Sequence, residues 1–340
     1  MDKYLRLRDK VLRRARGKTV LLSRYGAFGD LIMLTPVLRE LKREGYYVVL
    51  NAQGSSRNVL TCNPNIDDQI IQVRDEIHPD KLDEYWSELS KGFDRFINLN
   101  GSIEGDLLKT EGTLEFSLLK EKRHELCNKN YIDHTMKLAG FDIIGAQPKL
   151  FFSKAEHKWA RSILKRINHK YLILWSLSGS SYHKAWPYTE YVATEFLDAH
   201  PDTHVITVGD LACKLLEWEH PRTYSWSANI TIRKAMILTQ YANLVIGTET
   251  GLLNAASCFD TPKIVMLSHS TEENLTKHWR NVEAVNGNTH CYPCHQLHYS
   301  KKSCPLNSAT QTPLCMTMIR PEQVLLRMEK FYKESRRKVA

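Results

Sequence analysis

The sequence predicts an α/β protein built from two doubly wound halves, on three observations. Its opening reads as strand, glycine-bearing turn, amphipathic helix, strand. The same alternation restarts after Pro148. At 340 residues, with 42% hydrophobic and 25% charged residues, the chain is long enough and apolar enough for two cores.

The elements follow in order. Residues 3–16 read as a basic helix with Leu5, Val11 and Leu12 on one side. Its other face is either solvated or set against phosphate or a membrane surface. Thr19 to Ser23 is a buried-strand run, followed by the turn Gly26-Ala27-Phe28-Gly29-Asp30. Leu31, Leu34, Leu38 and Leu41 keep helical spacing, and Pro36 marks a first turn or a kink. Further strands are expected at 47–51, 69–73 and 93–99. The second series offers a helix at 156–167, a strand at 171–177 and the loop Ser178-Gly179-Ser180-Ser181. A helix at 188–199 leads to a strand at 204–208 that ends in Gly209-Asp210. After a helix at 232–242 come short strands at 244–246 and 263–267, with a helix opening at Gly251 between them. The domains are expected at 1–150 and 151–320, facing a cleft. A last helix, 321–340, is expected to pack back on the N-terminal domain.

The totals exclude several classes. No apolar run approaches the ~20 residues that span a bilayer. The basic N-terminus lacks the apolar stretch of a signal peptide, so a cytoplasmic location is expected. Eight cysteines are then free or metal-bound rather than a disulfide scaffold. A net charge of +9 favours anionic partners such as nucleotides, phosphorylated lipid, DNA or a membrane surface.

Four segments could carry chemistry. Gly26 and Gly29 do not make a dinucleotide fingerprint, so hydride transfer is excluded. Asp30 beside them is either a helix cap or a carboxylate that takes a proton from a hydroxyl. Glu249-Thr250-Gly251 stands at a strand-to-helix turn, where a hydroxyl and backbone N–H groups suit a diphosphate. Glu249 either bonds a ribose or sugar hydroxyl or caps the helix. Lys184 follows the small-residue loop of Ser178 and Gly179 and could neutralise phosphates; alone, it reads as a surface lysine. Cys291, Cys294, Cys304 and Cys315 include one Cys-x2-Cys pair, which fits a zinc knuckle or packed thiols.

Taken together and in this order, the motifs resemble glycosyltransferase family 9, the ADP-heptose-using heptosyltransferases. Arg24, Gly29, Asp30, Thr35, Pro36, Leu38, Leu41 and Lys42 match its N-terminal pattern. Lys184, Trp186 and Pro187 match a Lys-x-Trp-Pro element. Thr250, Gly251, Ala255, Ala256, Thr261 and Pro262 match the donor-side element. A late cysteine series like that of some members runs through Cys291, Pro293, Cys294, Cys304, Pro305, Cys315 and Met316. The likeness spans residues 19–325. It implies a GT-B fold and an inverting enzyme needing no metal or cofactor. Asp30 would be the base, and Lys184 would contact donor phosphate or sugar. Thr250 and Gly251 would hold the diphosphate, with Ser178, Gly179, Gly209, Glu249 and Asn254 on the same donor side. Gly29, Asn100 and Glu104 are expected on the acceptor side. Two departures stand out: Glu249 replaces the usual Asp, and Asn254 replaces a frequent His.

Three functions are compatible with this. The first is sugar transfer from a nucleotide-sugar donor to an anionic acceptor such as lipopolysaccharide core, with peripheral membrane contact. The second is the same reaction on a hydroxymethylated base in DNA. The third is a non-enzymatic nucleotide-sugar-binding protein on this fold.

Overall fold

The computed structural model describes residues 1–179, 181–300 and 304–337, with the side chain of residue 182 left aside. The chain divides into two compact units. Residues 1–103 and 131–151 form one; residues 104–130 and 152 onward form the other.

The first unit carries α1 (Asp2–Arg14), β1 (Thr19–Ser23), α2 (Phe28–Met33), α3 (Thr35–Arg43) and β2 (Tyr47–Gln53). Then come α4 (Ser56–Leu60), β3 (Asp68–Gln72), α5 (Leu82–Ser90) and β4 (Arg95–Asn98). Its sheet is parallel in the order β3-β2-β1-β4. β1 is buried along its whole length, as a central strand covered on both faces must be. One face is covered by α1 and α5, whose Tyr4, Val11, Tyr85, Trp86 and Leu89 join Leu21, Val49 and Ile70 in one core. The basic N-terminal helix is thus an integral layer of this unit, while Arg6, Lys10 and Arg13 remain exposed. Pro36 sits in the first turn of α3, and the helical run breaks at Leu34 between α2 and α3.

The segment 104–130 departs from the expected division near 150. It holds β5 (Lys109–Thr110) and α6 (Lys120–Cys127), and its partners lie far along the chain. β5 pairs with a later two-residue strand, Gln296–Leu297. Arg123 Nε donates to the Cys294 carbonyl at 2.8 Å, and Asn274 Nδ2 to those of Cys127 and Lys129 at 2.8 and 2.9 Å. The chain then returns to the first unit through α7 (Tyr131–Leu138).

The second unit continues with α8 (Lys154–Ile167), β6 (Tyr171–Ser176), α9 (Thr189–Ala199), β7 (Thr203–Val208) and α10 (Leu211–Lys214). Then follow β8 (Thr223–Ser225), α11 (Ile232–Leu238), β9 (Leu244–Thr248), α12 (Gly251–Ser257), β10 (Lys263–Leu267) and β11 (Val282–Asn286). The chain ends with β12 (Gln296–Leu297), α13 (Leu314–Thr317) and α14 (Pro321–Arg337). The six-stranded sheet is parallel in the order β11-β10-β9-β6-β7-β8. Ser153 opens α8 with a reciprocal capping box to Glu156, and Asn168 closes it in the left-handed conformation.

α14 does not meet the expectation of packing on the N-terminal domain. Val324, Met328 and Phe331 lie in the second unit's core with Tyr171, Phe196 and Ile264. Fully burying each such side chain is worth roughly 1.5–3 kcal/mol, so this face is committed where it stands. Residues 338–340 of the predicted helix lie outside the described residues. Among the described residues, no helix is long and apolar enough to cross a membrane.

Candidate functional site

In each sheet the strand order reverses once, and ligands in such sheets bind outside the carboxyl ends of the strands at that point. In the first unit it lies between β1 and β4, in the second between β6 and β9. The sequence-predicted residues gather at these two edges.

At the first edge, β1 runs out into Arg24 and the turn to α2. Asp30 Oδ2 accepts from Ala27 N at 2.7 Å, so the capping role is realised. Asp30 Oδ1 lies 3.1 Å from Arg24 Nη2. These side chains are only 7% and 2% exposed, a buried ion pair anchored at the strand end. A Cβ on Gly26 would lie 2.7 Å from Asp30 Oδ2, and its φ is +155°, so the close approach needs glycine. Gly29 is buried within α2.

Asn100, beyond β4, works inward. Its Oδ1 accepts from Tyr25 N at 2.5 Å and its Nδ2 donates to Ser23 Oγ at 2.9 Å. Ser23 Oγ in turn donates to Asn51 Oδ1 at 3.0 Å, as does the Tyr25 hydroxyl. Asn100 therefore ties the turn after β1 to the end of β4. Glu104 belongs to the segment that packs with the second unit, so it is not grouped with Asp30 and Asn100.

At the second edge, Ser178, Gly179, Lys184, Glu249, Thr250 and Gly251 come together. A Cβ on Gly179 would meet Lys184 Cδ at 2.7 Å and Thr250 Cγ2 at 3.1 Å. Lys184 is 8% exposed, not a surface lysine, and its Nζ donates to the Glu249 carbonyl at 2.8 Å. Its loop is pinned by buried Trp186, whose Nε1 donates to the Ile319 carbonyl at 3.0 Å. β6 and β9 meet closely: a Cβ on Gly247 would stand 2.8 Å from the Ser176 carbonyl oxygen. Thr250 caps α12 through Leu253 N and its hydroxyl lies 3.2 Å from Ser176 Oγ.

Three predicted donor-side residues have internal work. Gly209 serves packing, since a Cβ there would stand 2.3 Å from Cys213 Sγ. Asn254 Nδ2 donates to the Thr250 carbonyl at 3.0 Å, within its own helix. Glu249, 6% exposed, turns its carboxylate to the loop after β10, where Ser268 Oγ donates to it at 2.7 Å and Ser270 N at 3.1 Å. The imidazole Nδ1 of His269 lies 2.5 Å from Glu249 Oε2. Against the opposing effect of burial, the neighbouring His269 ring, Lys184 and Ser270 hold the Glu249 carboxyl well below the usual range. Burial, with His269 and Lys184 beside it, pushes His183 down to about 2, so its imidazole is neutral.

Sequence reasoning missed His183, His269, Ser268 and Ser270. The Ser-His-Ser run directly after a buried strand was the available signal. Ser180 of the predicted loop lies outside the described residues.

Cys291, Cys294, Cys304 and Cys315 line one cavity of about 50 Å³ in the second unit, with His183, Tyr292 and His298. Cys291, Cys294 and Cys315 are free thiols. Burial pushes Cys294 up to about 12 and raises Cys315 as well, so both are neutral. Among the described residues, no three His, Cys, Asp or Glu side chains stand close enough together to hold a metal ion.

No family model matches the sequence, and no curated protein matches it. Solved structures do. A family 9 glycosyl transferase from Veillonella parvula is 14% identical over 93% of this chain and 98% of its own, with a TM-score of 0.65. ADP-heptose lipopolysaccharide heptosyltransferase II of E. coli is 14% identical over 94% and 100%, with a TM-score of 0.64. The iron-containing dodecameric glycosyltransferase TibC from enterotoxigenic E. coli is 14% identical over 93% and 76%, with a TM-score of 0.62. At such low identity the likeness speaks for architecture: this chain has the GT-B fold of the family 9 glycosyltransferases and heptosyltransferases.

Proposed function

We propose that this chain is an inverting glycosyltransferase. It moves a heptose-like sugar from a nucleoside diphosphate donor to a hydroxyl of an anionic acceptor such as lipopolysaccharide core. The carrying observation is the gathering of Lys184, the 249–251 turn and Gly179 at the switch point of the second sheet. Asp30 stands at the corresponding point of the first.

The acceptor hydroxyl oxygen attacks the anomeric carbon, and its proton passes to Asp30. The bond from that carbon to the diphosphate oxygen breaks, and its electron pair leaves with the diphosphate. Inversion follows from a single displacement. Arg24 and Ala27 N fix the Asp30 rotamer. Lys184 opposes the charge that develops on the leaving group, most effectively in a water-poor setting. The exposed Arg6, Lys10 and Arg13 of α1, spaced for one helix face, favour contact with an anionic lipid surface.

The test is transfer from ADP-heptose to lipopolysaccharide core, with anomeric configuration read by NMR. Inverted product from the wild type, absent with Asp30→Asn, is expected. A retained configuration contradicts the single displacement.

A second reading concerns the four thiols. One solved structure of this fold is described as iron-containing, and soft thiolates suit iron or zinc. If an ion is held there, Cys291, Cys294, Cys304 and Cys315 would be its ligands, with no part in the transfer. About one iron or zinc per purified chain is expected by elemental analysis; no metal in protein from metal-supplemented cells leaves the thiols as packing groups.

A further inference from the structure

Three loops at the carboxyl ends of β10, β9 and β6 are closed into a ring of side-chain contacts. The Glu249 carboxylate, after β9, binds the loop after β10 through Ser268, His269 and Ser270. From that loop, His269 Nδ1 lies 3.3 Å from His183 Nε2, in the loop after β6. Lys184, the next residue, returns to the start by donating to the Glu249 carbonyl. We propose that Glu249 is a positioning residue: it does not touch the donor, and through this ring it sets where the Lys184 ammonium stands. The inference rests on reading this edge as the donor side.

The hydrogen-bond inventory supports it. Two carboxylate oxygens offer about four acceptor directions. Here they receive Ser268 Oγ, Ser270 N, Ser270 Oγ, the His269 ring and, at 3.4 Å, His269 N. No direction is left for a ribose or sugar hydroxyl. The protons can also be placed. Ser181 Oγ donates to the His298 carbonyl at 2.6 Å, so His183 Nδ1–H donates to Ser181 Oγ. His183 Nε2 is then an acceptor, and the His269 Nδ1–H is shared between it and Glu249. Every bond in the ring has its donor.

The ring also gives the glutamate a purpose. An aspartate is shorter by one carbon–carbon bond, about 1.5 Å. From the turn after β9 it could not reach Ser268 and Ser270 together. A lysine side chain is long and loses much rotamer freedom when fixed. Holding both its ammonium and the neighbouring His183 reduces what remains to be ordered when the donor binds.

The test compares Glu249→Asp and Glu249→Gln with wild type. The first keeps the charge and shortens the reach; the second keeps the reach and removes the charge. Dissociation constants for ADP, UDP and GDP are measured by calorimetry, with amide hydrogen exchange of residues 177–179, 183–185, 247–251 and 268–271. Glu249→Asp should bind its nucleotide about tenfold more weakly, the order of one charge-assisted hydrogen bond. Exchange should quicken in all these segments together, and Glu249→Gln, whose NH2 faces groups that donate to the carboxylate, should lose affinity and protection as well. Quickened exchange confined to 268–270 overturns the ring. So does unchanged nucleotide affinity in Glu249→Asp where Lys184→Ala weakens it. If the Glu249 variants do not fold, Ser268→Ala, which removes one ring bond, carries the same two readouts. A wild type that binds no nucleoside diphosphate defeats the donor reading itself, while the exchange pattern still decides the ring.

Discussion

The two switch-point edges hold their functional groups by different means. Asp30 is fixed by its own neighbourhood, through Ala27 three residues before it and Arg24 directly after β1. Lys184 and its surroundings are fixed by partners 65 to 133 residues away, on other loops and on the segment before α14. A local clamp can be altered with consequences near one turn. A ring across three strand ends should pass a change at one loop to the others, since each bond depends on the register of the neighbouring strands.

The largest expected effect tests the local clamp. Asp30→Asn should lower turnover by ~10²-fold or more while nucleotide binding is kept. Asparagine is chosen because its amide oxygen can still accept from Ala27 N or Arg24, an acceptor that alanine does not offer; either variant removes the charge paired with Arg24, so folding is checked alongside. Turnover within a few fold of wild type removes Asp30 from the chemistry. Next, Lys184→Ala should weaken nucleotide binding by ~10-fold or more and reduce turnover as well. Equal affinities measured by calorimetry would return this lysine to a packing role.

Three stability measurements follow. Gly247→Ala places a Cβ against the Ser176 carbonyl and should cost ~1–3 kcal/mol in urea unfolding, because β6 and β9 must part. No change in midpoint would mean the strands yield freely. pH separates the units further. His183 is pushed down to about 2 in the folded chain, against ~6.5 when unfolded. Between those values the unfolded chain binds the extra proton, so this group's contribution to stability rises with pH and is complete above ~6.5. The second unit should therefore lose stability as pH falls below ~6.5, and His183→Gln should flatten that slope. The smallest effect belongs to Asn254→Ala, expected within ~0.5 kcal/mol and without loss of nucleotide affinity, since the amide bonds its own helix.

The same contrast explains what the sequence made legible. β10 falls where its apolar run ends, Lys263 to Leu267, and the Asp30 turn follows β1 as read, because both signals are local. Pro36 likewise marks a real helix start. The 104–130 excursion was not legible: its bonds go to Cys294, His295 and Phe116–Gln296 pairs that no periodicity encodes. α14 showed its apolar stripe but not which surface would receive it. Glu249 was visible as a departure in a motif, while its partners Ser268 and Ser270 become neighbours only through the pairing of β9 with β10.

The most direct test of the central claim is calorimetric titration of wild type and Lys184→Ala with ADP, UDP, GDP, ADP-heptose and UDP-hexoses. Selective binding of ADP and ADP-heptose, weakened by ~10-fold or more in Lys184→Ala, is predicted. Binding of none of them, or binding that ignores the loss of Lys184, would contradict the placement of a nucleotide-sugar at the second sheet's switch point.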